Sequence, residues 1–278
     1  MSVGAIIQAR TSSSRLPGKV LKELPYNSGT TVLQQVIRRV LKASLVDEVI
    51  VATTTGPEDD EISKIAGKEE VKGFRGSKED VLSRYFHAAR ENDIDIIVRI
   101  TGDCPCIDWK IIDSVVRKVT EEKNDFASVR ESYPRGIGDL EVFTFKALET
   151  AFLQARDAHE REHVCPYIYS TNPEAFKIAY IEATGDLYCP EIRLTLDTAE
   201  DYAVLCEVYD DLYNESSFFT TTDIVDLFRK KPWLKIINSK VVQKTLNNLD
   251  GEIAEALKLL EIQDLKKAKD FLEKQWKS

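Results

Sequence analysis

The segment from Gln8 to Leu21 reads QARTSSSRLPGKVL and gathers Arg10, Arg15, Lys19 and three consecutive serines, Ser12, Ser13 and Ser14, behind a short apolar run. Backbone N–H groups, hydroxyl donors and clustered positive charge are what a bound triphosphate needs. The same cations can stabilise charge building up on a leaving pyrophosphate. The loop is not a Walker loop. Ser13 stands where its first glycine belongs, and Val20 follows the Gly18-Lys19 pair in place of Ser or Thr. Nor is there a dinucleotide fingerprint, because Gly136-Ile137-Gly138 meets Glu141 at the third glycine position. The competing reading is a solvated basic loop without a ligand.

Two acids complete the candidate chemistry. Asp103 follows the apolar run IIVRIT, and Asp197 closes the run RLTLD. A carboxylate at such a place can hold Mg²⁺, which takes one or two protein carboxylates and leaves the rest of its shell to phosphate and water. In nucleotidyl transfer that metal neutralises charge and aligns the in-line attack. Alternatively, each aspartate caps the turn or helix after it. A third pattern, His159-Glu160-Arg161-Glu162-His163, has the HExxH spacing of a zinc site. The remaining histidine, His87, falls in a different predicted helix.

These residues need a frame. Apolar runs at residues 3–8 and 95–101 read as buried strands, residues 48–53 as a further strand and residues 71–74 as a short one. Helical spacing covers residues 30–43, 58–67, 78–91 and 108–123; in the first of these Val32, Leu33, Val36, Ile37, Val40 and Leu41 share one face. Strands alternating with such helices predict an α/β fold with a mostly parallel sheet flanked by helices. Ligands of such sheets bind outside the carboxyl ends of the strands. Gln8, Thr53, Phe74 and Thr101 are therefore expected along one rim. Beyond residue 125 the pattern predicts strands at 125–130, 140–145 and 192–197 and helices at 146–156, 160–169 and 198–213, the last opened by Thr198. We expect one domain over residues 1–243 and a Lys- and Glu-rich helical tail over 244–278, packing on the surface or in a dimer.

Composition limits the partners. With 43% hydrophobic and 31% charged residues in a chain of 278, a sizeable core forms without disulfides. A net charge of −9 argues against binding nucleic acid, which needs a broad basic face. Any anion must be held by a few local cations. No signal peptide and no apolar run of spanning length is evident, and the five cysteines show no CxxC framework. The expectation is a cytoplasmic protein with reduced thiols and no membrane partner.

The motifs AIIQARTSSSRLPGKVL, EVIVATTT, FRGSKEDVLSRYFHAA, IIVRITGDCPCID, YPRGIGDLEVF, HEREHVCPYIY and RLTLDTAEDYAVL occur in the order found in the cytidylyltransferase family. The chain resembles the acylneuraminate and ketodeoxyoctonate cytidylyltransferases, and most of all their spore-coat-polysaccharide branch, over residues 3 to 240. That resemblance implies a glycosyltransferase-A-like nucleotidyltransferase fold, CTP as donor, Mg²⁺ as cofactor and a homodimer. By position, Gln8, Ala9, Arg10, Ser14, Arg15, Lys19, Thr101 and Gly102 would line the nucleotide, with Thr53 and the Arg75-Gly76-Ser77 segment bordering base and ribose. Asp103 and Asp197 would hold the metal, and Lys19, Arg10 and Asp103 would carry catalysis. Arg135, Asp139, Glu141 and His163 would face the acceptor; for His163 a core position or zinc are the other readings. Two departures stand out: Thr11-Ser12-Ser13 where Met-Gly-Ser is commoner, and an extra residue within RGIGDLEVF. The implied reaction moves CMP from CTP to a small hydroxyl-, carboxylate- or phosphonate-bearing acceptor such as an acidic or amino sugar or an amino acid. The alternatives are a nucleotide-sugar glycosyltransferase of the same fold and a nucleotide-binding protein without turnover.

Overall fold

The computed structural model describes residues 1–215, 218–242 and 249–276. Four apolar runs become neighbouring parallel strands: β1 (Val3–Gln8), β2 (Glu48–Thr54), β3 (Lys72–Gly76) and β4 (Ile96–Thr101). Alternate side chains of a strand point to opposite faces, so β1 feeds two cores. Ile7 enters one with Val36, Ile62 and Val115, from α1 (Val32–Val40), α2 (Asp60–Lys68) and α4 (Trp109–Thr120). Ile6 enters the other with Leu82 of α3 (Val81–Glu91) and Leu148 of α5 (Phe145–Gln154). Burial on both faces explains why β1, β2 and β4 are largely apolar, whereas β3, at the sheet edge, reads KGFRG and is mostly exposed. Leu41, expected on the buried face of α1, lies past the end of that helix and is exposed.

The second half of the sheet is mixed. β5 (Phe126–Val129), β6 (Leu140–Thr144) and β7 (Ile178–Ile181) extend it to seven strands in the order β3-β2-β1-β4-β6-β5-β7. β6 runs antiparallel to both β4 and β5, and β7 parallel to β5. Residues 192–197 do not form the expected strand. Ile192, Leu194 and Leu196 are buried in alternation, but the segment lies past the sheet and pairs with loops. Leu194 N–H donates to the Arg135 carbonyl and Leu196 N–H to that of Asp103, both at 2.9 Å. Gly136 permits this approach: its φ is 85°, and a Cβ there would lie 2.7 Å from the Leu194 carbonyl carbon.

The helix expected over 160–169 is also broken. α6 (Ala158–His163) stops at Val164, whose φ is 73°, and a wider helical turn resumes at Tyr167–Thr171. Pro166 supplies the reason, since it lacks an N–H and disfavours a helical residue before it. α7 (Ala199–Leu212) starts as expected, on a Thr198–Asp201 capping box. It is followed by α8 (Thr221–Lys230) and α9 (Leu234–Ile237). The tail forms two helices, α10 (Leu249–Ile262) and α11 (Lys266–Trp276), with no buried residue in either. The domain boundary expected at 243/244 lies outside the described residues. Among the described residues no helix is long and apolar enough to cross a membrane.

Candidate active site

The carboxyl ends of β1 and β4 meet at the rim, where the Gly102 N–H donates to the Gln8 carbonyl at 2.8 Å. A Cβ on residue 102 would come within 3.0 Å of that oxygen, so the approach needs glycine. From β1 the chain turns over the rim. Ala9 N–H is bonded to the Ala52 carbonyl at 3.2 Å, Thr11 N–H to Asp59 at 2.7 Å, and Gly18 N–H closes the loop on the Thr11 carbonyl at 3.0 Å. Gly18, with φ of 66°, then lets the chain enter the short helical turn Lys19–Leu21. Lys19 is thereby aimed back across the rim.

Its ammonium lies between the two aspartates, 2.5 Å from Asp103 and 2.9 Å from Asp197. Asp197 also pairs with Arg15 at 3.0 Å and with Arg193 at 2.8 Å. Burial opposes the charge on Lys19, but the two carboxylates outweigh it and raise its pKa. Burial likewise pushes the Asp197 carboxyl up, yet Lys19, Arg15 and Arg193 leave it below its ordinary value. Behind this layer, buried Asp201 accepts from Arg193 at 2.9 Å, from the Asp197 and Thr198 N–H groups at 3.0 and 3.1 Å, and from Asn238 at 3.0 Å. Asp197 therefore sits on a braced support although its segment belongs to no strand.

These groups open onto a cavity of about 300 Å³. Gln8, Ala9, Arg10, Ser14, Arg15, Lys19, Thr101, Gly102, Asp103, His163 and Asp197 line it together. Arg10 is exposed and has no carboxylate partner among the described residues. Thr53 is buried below the rim and does not line the cavity. Arg75 is turned away: it donates to the Thr54 and Gly56 carbonyls at 2.9 and 2.7 Å and pairs with Asp60 at 2.6 Å. Gly76 and Ser77 also stand off the cavity wall, with the Ser77 hydroxyl accepting from the Asp80 N–H at 3.0 Å.

On the acceptor side the expected residues divide. Arg135 and Asp139 line a separate depression with Val129 and Tyr133. Glu141 pairs with Arg99 at 2.5 Å, its cross-strand neighbour on β4, and does not line the cavity. His163 does line it, and burial together with neighbouring His159 lowers its pKa, which favours the neutral ring. In the HExxH segment Glu160 is committed to a helix cap. It accepts from the Arg156 and Asp157 N–H groups at 3.0 and 3.1 Å and from Thr171 at 2.6 Å. No cluster of three metal-ligating side chains occurs among the described residues.

Two charged cavity residues escaped the sequence reading, Glu162 and Arg84. Arg84 had a visible signal, a charge standing among Val81, Leu82, Tyr85 and Ala88 on the buried side of its helix. Chemically, hydroxyls and cations on one wall face two carboxylates that already share a positive charge. That donor set can hold a polyphosphate and, through Asp103 and Asp197, a hard divalent cation.

The sequence profile of the cytidylyltransferase family matches residues 4–274. An uncharacterised protein of Methanocaldococcus jannaschii is 39% identical over 252 residues, covering 90% of this chain and all of that one. The spore coat polysaccharide biosynthesis protein SpsF of Bacillus subtilis is 29% identical over 231 residues, 82% of this chain and 94% of that one. Among solved structures, a cytidylyltransferase from Leptospira borgpetersenii superposes with a TM-score of 0.76 at 35% identity, covering 89% of this chain and all of that one. The cavity at the β1–β4 rim thus lies within a matched segment spanning nearly the whole sequence, and the chain belongs to the cytidylyltransferase family, a family of CTP-dependent nucleotidyltransferases.

Proposed function

We propose that this protein transfers CMP from CTP to a sugar-type acceptor bearing a hydroxyl or carboxylate group, with Mg²⁺ as cofactor and release of pyrophosphate. The observation that carries this reading is the placement of Lys19 between Asp103 and Asp197, beside a loop of serines and arginines. Ser12, Ser13, Ser14 and Arg15 bind the β- and γ-phosphates, and Lys19 turns from the carboxylates toward the α-phosphate. Asp103 and Asp197 are oxygen donors directed at one positive charge, which is the coordination Mg²⁺ prefers. When bound there, the metal supplies neutralisation of the phosphate charge. An acceptor oxygen attacks the α-phosphorus, a hydroxyl acceptor giving up its proton to solvent and a carboxylate having none to lose; the bond from the α-phosphorus to the bridging oxygen breaks, and pyrophosphate leaves with its charge stabilised by Arg10 and Arg15.

The part the Bacillus relative plays in spore coat polysaccharide biosynthesis supports a sugar acceptor. His163 offers the cavity a neutral ring, and Arg135 and Asp139 offer charges of both signs in a separate depression, a combination that suits an acidic or amino sugar. A homodimer in the cytoplasm, where CTP is made, belongs to the same reading. The test is pyrophosphate release from CTP and Mg²⁺ with a panel of acidic and amino sugars, repeated with UTP, GTP and ATP. Asp103→Asn is expected to lower turnover by about 10²- to 10⁴-fold with its melting temperature little changed. No release from CTP with any acceptor, or an Asp103→Asn variant as active as wild type, removes the proposal.

A further inference from the structure

The C-terminal hairpin of α10 and α11 lacks a core. Neither helix buries a residue, and each packs chiefly on the other. Helices of 14 and 11 residues are marginal in water by themselves, since most helical stability comes from covering an apolar face. Two contacts join the pair: Lys269 reaches Glu261 at 3.0 Å, and the Trp276 indole donates to Asp250 at 3.2 Å. Large apolar side chains are left outside. Leu249 is 69% and Phe271 66% exposed, and Ile262, Leu265 and Trp276 are exposed as well. Glu255 meets the body of the protein in a depression shared with Lys235 and Val241, and none of those five apolar residues lines it.

Charge is divided between the two helices. α10 carries Asp250, Glu252, Glu255 and Glu261 against one lysine, Lys258, whereas α11 carries Lys266, Lys267, Lys269 and Lys274 against Asp270 and Glu273. The charges nearest the most exposed apolar residues make no ion pair among the described residues. These are Glu252, one turn after Leu249, and Lys267 and Lys274, one turn before and after Phe271. Each apolar patch is therefore rimmed by one sign, and the two signs are opposite. Such a surface complements itself when a second one is turned over onto it.

We propose that this hairpin is an interface with a second copy of the chain, the two hairpins forming a four-helix bundle about a two-fold axis. Phe271 of each copy packs on Leu249 of the other, with Lys267 and Lys274 opposite the partner's Glu252. Setting α11 against the other α11 would place lysine against lysine. Exposed ion pairs contribute little, so the apolar side chains supply the affinity and the charges fix which helix meets which. The interface gives the homodimer of the proposed function its surface, and it holds whatever reaction the rim cavity performs.

The test is sedimentation equilibrium of the full chain over a dilution series, with circular dichroism melts to verify folding. Wild type is expected to dimerise. Phe271→Asp should weaken association about a hundredfold, because a central apolar contact is lost twice. Lys267→Glu/Lys274→Glu and, separately, Glu252→Lys should each weaken it about tenfold. An equimolar mixture of those two variants should pair as tightly as wild type, since opposite charges again meet on both seams. Variants that dimerise like wild type, or a mixture that fails to pair, overturn the inference. So does a monomeric wild type, and one that floats with phosphatidylglycerol vesicles assigns the face to lipid instead. Pyrophosphate release from CTP, measured on the same samples, decides the proposed function separately: its absence in wild type leaves the hairpin interface standing.

Discussion

At the Lys19 end of the cavity each carboxylate has a cation beside it, and Asp201 braces the arrangement from behind. Arg84, which lines the same cavity, is more deeply buried than Lys19 and has a single hydrogen bond among the described residues, to the Ser77 carbonyl. Local pairing holds the first region in shape before any ligand arrives. The second is held by the packing of α3, and its Nε is buried without a hydrogen bond. Charge that neighbours satisfy gives preorganisation, whereas charge left unsatisfied lowers stability.

This contrast gives substitutions opposite signs. Asp201→Asn strips the charge from the buried brace and leaves Arg193 half paired; a loss of about 3–5 kcal/mol in urea denaturation is expected. If stability barely moves, the paired end owes its shape to packing. Arg84→Met replaces an unpaired buried cation with an apolar chain of similar length. The unliganded protein should gain about 1 kcal/mol in urea denaturation. A clear loss of stability would show that the bond to Ser77 outweighs the buried charge. The smallest effect is acid sensitivity. Burial raises the Asp197 carboxyl, but Lys19, Arg15 and Arg193 overcome this and hold it below its ordinary value. Its contribution to stability is complete above the unfolded value of about 3.9 and disappears as pH falls through the lower folded value. Asp197→Asn should flatten the acid limb of a stability–pH curve by less than about 1 kcal/mol, since the pair is partly solvated.

The parallel half of the sheet was legible because doubly buried β1, β2 and β4 are largely apolar and the crossover helices are long enough to show a period. The mixed half was harder. β7 is the four-residue IAYI, too short for any pattern to separate it from a loop. Residues 192–197 have the alternation of a strand, but alternation reports burial and not the presence of a partner strand. Asp103 and Asp197 were visible as acids ending apolar runs, and the structure brings both to Lys19. Arg75 and Arg84 show the limit: both are arginines in one motif, and only the three-dimensional arrangement tells which of them lines the cavity. Glu141 is similar, an acid whose cross-strand neighbour Arg99 claims it.

Asn238 follows Asp201 by 37 positions and donates both to that carboxylate and to the Arg193 carbonyl, at 3.0 and 3.1 Å. Asp201 in turn fixes the amide of Asp197. The aim of a reacting-centre side chain is therefore tethered to a stretch downstream of α8, well outside the strands that build the rim. A chain shortened upstream of Asn238 would retain every strand of its sheet and still let that side chain drift, so activity would fade before the architecture did.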